Sequence, residues 1–191
     1  MLAAFTICCV CIGWYVVRSQ NQRACVEWIL ARGGEVTYSY RYKQGKYDPH
    51  AVPPGPKWLR EPFGLDYFDR VWGIDLSNKD VSELPDLKSV AGIKTLWVRN
   101  TNVDDLAFIS NLSQLENLWI ANTKIKSLDP ISRNKKLNWL GLEGTAIQDL
   151  SPLDGLAELR TLNLSKTNIP QEEIKRFQAV NPNCAILGAD D

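Results

Sequence analysis

The chain has 191 residues, 45% of them hydrophobic, with 22 basic residues, 22 acidic residues and one histidine. This composition is sufficient for one sizeable hydrophobic core, so the fold does not require disulfides or a structural metal. The charge is unevenly distributed, because residues 1–17 carry none and residues 18–60 contain eight basic residues against three acidic ones.

The first segment, "MLAAFTICCVCIGWYVV", is uncharged and is followed by Arg18. As a helix it would span ~25 Å, slightly less than the ~30 Å hydrocarbon core of a bilayer, with Trp14 and Tyr15 at the interface. We therefore predict a single-pass membrane anchor over residues 1–19, with residues 2–17 in contact with lipid. A cleaved signal peptide is the alternative, although no basic region precedes the apolar run and no small-residue cleavage site follows it. The side of the membrane stays open, since a basic segment upstream would reverse the orientation that Arg18 favours.

Residues 20–70 are predicted to form a small α+β capping unit. Residues 21–34 have helical spacing and end in a glycine pair suited to a C-cap, and "EVTYSYRYK" alternates as a half-buried strand. A loop rich in Pro and Gly and one or two helical turns follow. The basic, tyrosine-rich strand has two interpretations, a surface for anionic lipid or nucleic acid or a solvated outer face; the small charge cluster favours the second, so we expect no nucleic-acid partner.

An internal repeat of 22 residues begins at residue 71. Its template, apolar-x-x-apolar-x-apolar-x-x-Thr-x-apolar, recurs as "VWGIDLSNKDV", "IKTLWVRNTNV", "LENLWIANTKI", "LNWLGLEGTAI" and "LRTLNLSKTNI". The central apolar residue stands at Ile74, Leu96, Leu118, Leu140 and Leu162. A unit this short cannot bury its own apolar face, so the pattern predicts five stacked repeats over residues 71–180, closed by a C-terminal cap or tail over residues 181–191.

This pattern resembles the leucine-rich repeat, specifically its 22-residue bacterial subclass typified by internalins. The segments "DPI" at Asp129, "SPL" at Ser151 and "NPNC" at Asn181 resemble the convex segments and the tail of that subclass. An apolar anchor, a short α+β unit and 22-residue repeats together also resemble membrane-anchored bacterial repeat proteins. The resemblance implies an α/β solenoid with a parallel concave β-sheet. The usual asparagine of the repeat is replaced by threonine in the last four units and by Lys79 in the first, so we expect a thinner hydrogen-bonded ladder.

Strand alternation predicts which side chains line the concave face. The buried residues leave an outward column of Asp75, Trp97, Trp119, Gly141 and Asn163 between them. Trp97 and Trp119 should be lateral neighbours, with Trp139 diagonal to Trp119 and an open notch at Gly141.

This aromatic cluster is typical of a binding surface, because tryptophan and arginine are common hot-spot residues. We predict an interaction module whose protein partner contacts the concave face through Trp97, Trp119, Trp139, Arg99, Asn117 and Glu143. A cell-envelope glycan stacking on the indoles is the alternative ligand, and mutual packing that only stiffens the sheet is the alternative role.

An enzyme is not indicated. The sequence has no glycine-rich phosphate loop and no His-based triad, and its single histidine, His50, stands in a proline-rich loop. We expect no cofactor and no metal site, and we expect Cys25 and Cys184 to be free thiols.

Overall fold

The computed structural model describes residues 2–43 and 46–188. Residue 1 of the predicted anchor, residues 44 and 45 of the predicted loop and the last three residues of the predicted tail lie outside that part. A seven-stranded sheet dominates the fold. From one edge to the other its strands are β1 (Glu35–Tyr38), β4 (Val71–Asp75), β5 (Thr95–Trp97), β6 (Asn117–Trp119), β7 (Trp139–Gly141), β8 (Thr161–Asn163) and β9 (Ala185–Leu187). β1 pairs antiparallel with β4, and every later pair is parallel. The prediction of a solenoid with a parallel sheet is confirmed.

The 22-residue spacing places equivalent apolar residues side by side. Leu96 pairs with Leu118 and Leu118 with Leu140, and all three are fully buried. Burying one such side chain contributes roughly 1.5–3 kcal/mol. The core is therefore a continuous set of columns, and its stability arises from the stacking of neighbouring repeats.

The convex side consists of short 3-10 turns rather than helices: Leu87–Val90, Ala107–Asn111, Asp129–Arg133 and Ser151–Leu153. One buried side chain joins two of them. Nδ2 of Asn134 donates to the carbonyl of Leu112 at 2.8 Å and to that of Ile109 at 3.2 Å.

The threonines that follow β5, β6, β7 and β8 close their own turns. The hydroxyl of Thr123, for example, donates to the carbonyl of Ile120 at 2.7 Å. In the other repeats the equivalent hydroxyl also donates to the carbonyl three residues earlier, at 2.6–2.7 Å. These donors are Thr101, Thr145 and Thr167. These hydroxyls therefore stabilise single repeats and do not join one repeat to the next.

The first helix corrects the membrane prediction. α1 runs without interruption over Leu2–Ala31, so the anchor's expected end at residue 19 lies inside it. Within residues 2–43 and 46–188, no helix is long and apolar enough to cross a membrane. The predicted transmembrane helix and membrane localisation are therefore wrong. Beyond the uncharged run, α1 continues as a capping element whose buried residues include the polar Ser19 and Gln22.

The C-terminal half of α1 covers the first repeat. Cys25, Val26 and Ile29 are buried against it, whereas Ala24 is exposed. Gly33 has φ +72°, and the amide of Gly34 donates to the carbonyl of Ile29 at 3.0 Å, which forms the expected glycine C-cap.

The strand predicted over residues 35–43 is interrupted. β1 ends at Tyr38, a 3-10 turn covers Ser39–Arg41, and a separate hairpin pairs β2 (Tyr42–Lys43) with β3 (Lys46–Tyr47). Asp69 provides the reason. Its carboxylate accepts hydrogen bonds from the Ser39 hydroxyl and, at 2.6 Å, from the Tyr40 amide, which draws the chain out of the extended conformation.

Two further helices complete the described chain, α2 (Lys57–Phe63) and α3 (Gln171–Val180). α3 closes the far end of the core with Ile174 and Phe177, which are buried, whereas Val180 is 51% exposed. After "NPNC" the chain forms β9, which pairs with β8 and ends the sheet.

Candidate functional site: the concave tryptophan face

The strand register places the predicted site residues on the concave face. Trp97 pairs with Trp119, and Asn117 pairs with Trp139, as strand alternation predicted. The three indoles form a continuous stack across neighbouring strands, which we call the tryptophan ladder. Ring centroids lie 5.0 Å apart between Trp97 and Trp119 and 4.5 Å apart between Trp119 and Trp139, with interplanar angles of 14° and 31°.

All three tryptophans are only partly buried. Trp119, for example, stands in the chain between the fully buried Leu118 and Ile120, which anchor its backbone to the core. Stacked and offset aromatic pairs contribute about 0.5–1.5 kcal/mol beyond their area burial. The ladder is thus a rigid aromatic surface. Its three indoles pack against one another and are also partly exposed to solvent.

Two glycines make room for the ends of the ladder. A Cβ added to Gly141 would lie 2.6 Å from Cζ3 of Trp139, and one added to Gly73 would lie 3.4 Å from Cζ3 of Trp97. The predicted open notch at Gly141 is therefore wrong. The Trp139 indole fills it, because a glycine on the same strand leaves space into which that ring can lean.

The polar residues beside the ladder differ in how they are engaged. Nδ2 of Asn117 donates to the Thr95 hydroxyl at 3.3 Å, and Oε1 of Glu143 accepts from Nδ2 of Asn163 at 2.5 Å. The other carboxylate oxygen of Glu143 is buried and has no hydrogen-bond partner among the described residues. Arg99 is exposed. The structure thus brings together all six predicted site residues on one face.

An asparagine ladder in the turns next to this face was missed by the sequence interpretation. Nδ2 of Asn100 donates to Oδ1 of Asn78 at 2.7 Å, and Nδ2 of Asn122 donates to Oδ1 of Asn100 at 2.8 Å. All three have positive φ, between 52° and 60°, and Gly144 takes over the position in the next repeat with φ +64°. Asparagine at 22-residue intervals followed by glycine was the available signal, since both residue types tolerate the left-handed conformation.

Metal ligands, thiols and the histidine are the other candidates for chemistry in the described chain. In residues 2–43 and 46–188 no group of three or more His, Cys, Asp or Glu side chains could hold a metal ion. Burial raises the pKa of Cys25 and of Cys184 to about 11, so both thiols are neutral and weakly nucleophilic at pH 7. His50 is exposed in its loop. The expectation that the chain is not an enzyme stays a prediction.

Comparison with solved structures identifies the architecture. A leucine-rich-repeat protein of Leptospira interrogans is similar with a TM-score of 0.53 and 20% identity, over 71% of this chain and 40% of that one. The fold is a leucine-rich-repeat solenoid. Two internalins of Listeria monocytogenes, InlF and internalin C2, are each similar to the present chain with a TM-score of 0.48 and 20% identity. These alignments cover 61% and 64% of this chain, and 40% and 63% of the internalins.

No protein-family model and no curated protein sequence matches the chain. The present chain spans less than two thirds of the length of each of these three solved structures. At 20% identity the likeness establishes the fold alone, so any inference about function depends on the concave residues themselves.

Proposed function

We propose that this leucine-rich-repeat domain is an interaction module that binds a protein partner on its concave face, with the tryptophan ladder as the centre of the interface. The supporting observation is the ladder itself, three stacked and partly exposed indoles on a rigid sheet. Aromatic side chains whose rotamers are already fixed lose little conformational entropy on binding, which is why preorganised tryptophans make strong anchors.

The residues around the ladder are assigned roles from their contacts. Arg99 projects freely and can form a charge-assisted hydrogen bond with the partner. Glu143 is fixed by Asn163 and Asn117 is fixed by Thr95, so these two side chains limit which shapes can approach. They contribute specificity, whereas the indoles contribute most of the affinity.

The glycan alternative is weaker on the same geometry. A sugar stacks on the open face of an aromatic ring, but the faces within the ladder lie against each other. A sugar site also requires free amide and carboxylate groups, and those of Asn117, Asn163 and Glu143 already bond within the sheet. A protein surface, which can contact ring edges, fits better.

The test is a quantitative affinity pull-down from a native extract with the full chain, compared with a Trp97→Ala, Trp119→Ala double variant. Trp58→Ala is the matched control, because Trp58 is 70% exposed and lies on α2, outside the sheet. We expect the double variant to lose a specific prey protein that the control retains. The loss should correspond to at least ~2 kcal/mol, about thirtyfold in affinity.

Matching thermal melting curves must show that the double variant is folded. If the folded double variant retains every prey protein, the ladder only stiffens the sheet and the proposal is wrong. Addition of envelope polysaccharide to the same extract checks the glycan alternative, which predicts that the polysaccharide displaces the prey.

A further inference from the structure

The concave face carries two carboxylates at the N-terminal end of the tryptophan ladder. Glu35 on β1 is the direct antiparallel partner of Asp75 on β4, and Asp75 is in turn paired with Trp97 on β5. Val36 packs on the core, so Glu35 points to the opposite, concave side, as does its cross-strand partner Asp75. We call these two carboxylates the acidic corner. They stand in the same row across the sheet as Trp97 and Trp119.

The oxygens of the acidic corner are accessible in the free chain. Glu35 is exposed, and within residues 2–43 and 46–188 its side chain makes no hydrogen bond or ion pair. Oδ1 of Asp75 accepts from the Ser77 amide at 2.8 Å, whereas Oδ2 has no partner among the same residues and is not buried. A positive group of a partner can therefore reach both side chains.

Two like charges at this position are unfavourable for the sheet alone. Residues directly opposite each other on antiparallel strands have Cβ atoms ~4.5–5.5 Å apart, and like charges there are destabilising. Lys79 of the first repeat does not neutralise them, because its Nζ lies 3.6 Å from a Cβ built on Gly33, just beyond the end of α1. Arg99, which also lies on the concave face, makes no ion pair with either carboxylate in the described chain. A cation supplied by the partner would remove this repulsion.

The indole of Trp97 indicates what kind of cation fits. Trp119 stacks on one of its faces, and the ring extends over β4, where Cζ3 lies 3.4 Å from a Cβ built on Gly73. Asp75 lies two residues further along the same strand, on the same side of the sheet. The described residues provide Trp97 with no other ring or cation contact. A guanidinium or ammonium group can bond to a carboxylate and lie against an aromatic ring at the same time, so a basic side chain suits this position.

The rest of the row is uncharged. Beyond Trp119 it continues with Gly141, Asn163 and Leu187, and Leu187 is 46% exposed. The row is thus acidic at β1 and β4, aromatic at β5 and β6, and neutral from β7 to β9. Its complement is a segment that is basic at one end and apolar along the remainder.

We propose that the partner of the concave face is a protein segment that presents an arginine or lysine side chain to the acidic corner and apolar side chains to the tryptophan ladder. This inference rests on the proposed function, since it names the chemistry of the partner at the same site. The cation bonds to Oδ2 of Asp75 and to the Glu35 carboxylate and lies against Trp97. The ladder contributes most of the affinity, and the acidic corner determines which segment binds and in which direction.

The test is isothermal titration calorimetry of the full chain with a pair of probe peptides. Both peptides are acetylated and amidated and share a Leu-Phe-Leu centre, which is flanked by arginines in one and by glutamates in the other. We expect the arginine peptide to bind, and the glutamate peptide to bind at least ~10-fold more weakly, because like charges across an interface oppose binding. Added salt should weaken binding of the arginine peptide, since exposed charge pairs are screened.

A carboxylate double variant, Glu35→Gln with Asp75→Asn, tests the residues themselves. The new amide oxygen can still accept from the Ser77 amide, so the variant should fold, and melting curves check this. We expect it to bind the arginine peptide about 10-fold more weakly and with little salt dependence, because the charges are gone. Glu158→Gln with Asp104→Asn is the matched control. It neutralises two exposed carboxylates outside the strands of the sheet and should bind as the wild type does.

An arginine peptide that binds no better than the glutamate peptide overturns the inference, and so does a folded carboxylate double variant that binds the arginine peptide as tightly as the wild type. If that variant does not fold, the comparison of the peptides on the wild type decides the question. Failure of the inference is distinguishable from failure of the proposed function. A prey protein lost with the tryptophan double variant would leave the concave face as a protein-binding site whose partner has a different chemistry.

Discussion

The repeat array and the two ends of the molecule are stabilised by different means. Within the array, equivalent apolar residues recur in columns such as Leu96, Leu118 and Leu140, all fully buried. At the ends, single polar side chains join distant segments. Gln22 and Tyr38 both donate to Oδ1 of Asp66, at 3.1 and 3.0 Å, and at the other end Nη1 of Arg176 donates to Asp154 at 2.7 Å.

This difference indicates where each kind of change should be costly. The array depends on side-chain volume, since every residue of a column contacts its copies above and below. The ends depend on hydrogen bonds and charge, since each polar contact there exists once. Substitutions that alter volume should therefore be most costly in the apolar columns of the array. Apart from the buried Asn134, whose amide joins two convex turns, substitutions that alter hydrogen bonding or protonation should be most costly at the ends.

The largest effect is expected from Leu118→Ala at the centre of the array. Leu118 is fully buried between two other leucines, so the variant leaves a cavity and should lose about 2–5 kcal/mol of unfolding free energy. Leu187→Ala on β9 is the control, because Leu187 is 46% exposed and should cost much less. Urea unfolding followed by circular dichroism measures both. Equal losses would contradict the volume argument.

The next effect is expected at the N-terminal end, from Asp69→Asn. The Asp69 carboxylate accepts from the Ser39 hydroxyl and from the amides of Tyr40 and Arg70, and an amide cannot accept all three. We expect a loss of about 1–3 kcal/mol from the unsatisfied donors. Asp104→Asn, at an exposed position in the array, should be close to neutral. Hydrogen exchange should show faster exchange at residues 38–41 and little change in β6 and β7.

Periodicity explains why the array and its site could be predicted and the ends could not. A period of 22 fixes which residues share a column, and strand alternation fixes the side of the sheet, which is sufficient to place Trp97, Trp119 and Trp139 together. The period does not fix side-chain torsions, so the sequence did not predict that the Trp139 ring lies over Gly141. The hydrogen bond that the Ser39 hydroxyl donates to Asp69 joins residues 30 positions apart. It belongs to no repeated pattern, so no local signal in the sequence indicates it.

The error at α1 has a similar origin. The uncharged run ends at Val17. Hydropathy detects this change in composition, but it does not show whether the helix ends there or continues into the charged residues. In the folded chain the helix continues to Ala31, because Cys25 and Ile29 have the first repeat to pack on.

A third prediction concerns the surface of the array, where the ring of Trp139 occupies the space beside a glycine. Gly141→Ala should displace the Trp139 indole, since the new Cβ would lie 2.6 Å from it, and should cost about 1–3 kcal/mol as overpacking. Gly92→Ala is the control, because nothing lies within 4 Å of its added Cβ. Near-ultraviolet circular dichroism reports the stacked indoles directly. An unchanged tryptophan spectrum in Gly141→Ala would show that the ladder does not depend on this space.

The smallest effect is expected at the C-terminal end, from the pH dependence of Glu173. Hydrogen bonds from Arg176, together with one from the Leu150 amide, hold the pKa of Glu173 below its ordinary value of 4.5. A carboxylate whose pKa is lower in the folded chain contributes stability above its unfolded pKa, and that contribution is lost as pH falls through the folded pKa. The unfolding free energy of the wild type should therefore decrease below pH ~4.5 more steeply than that of Glu173→Gln. Lys175→Gln, at an exposed neighbouring position on α3, should keep the wild-type slope. If the unfolding free energies of wild type and Glu173→Gln fall with pH in parallel, the ion pair does not stabilise α3, and the buried Ile174 and Phe177 hold it in place. The C-terminal end would then be stabilised by apolar burial, as the array is, and not by hydrogen bonds, as the N-terminal end is.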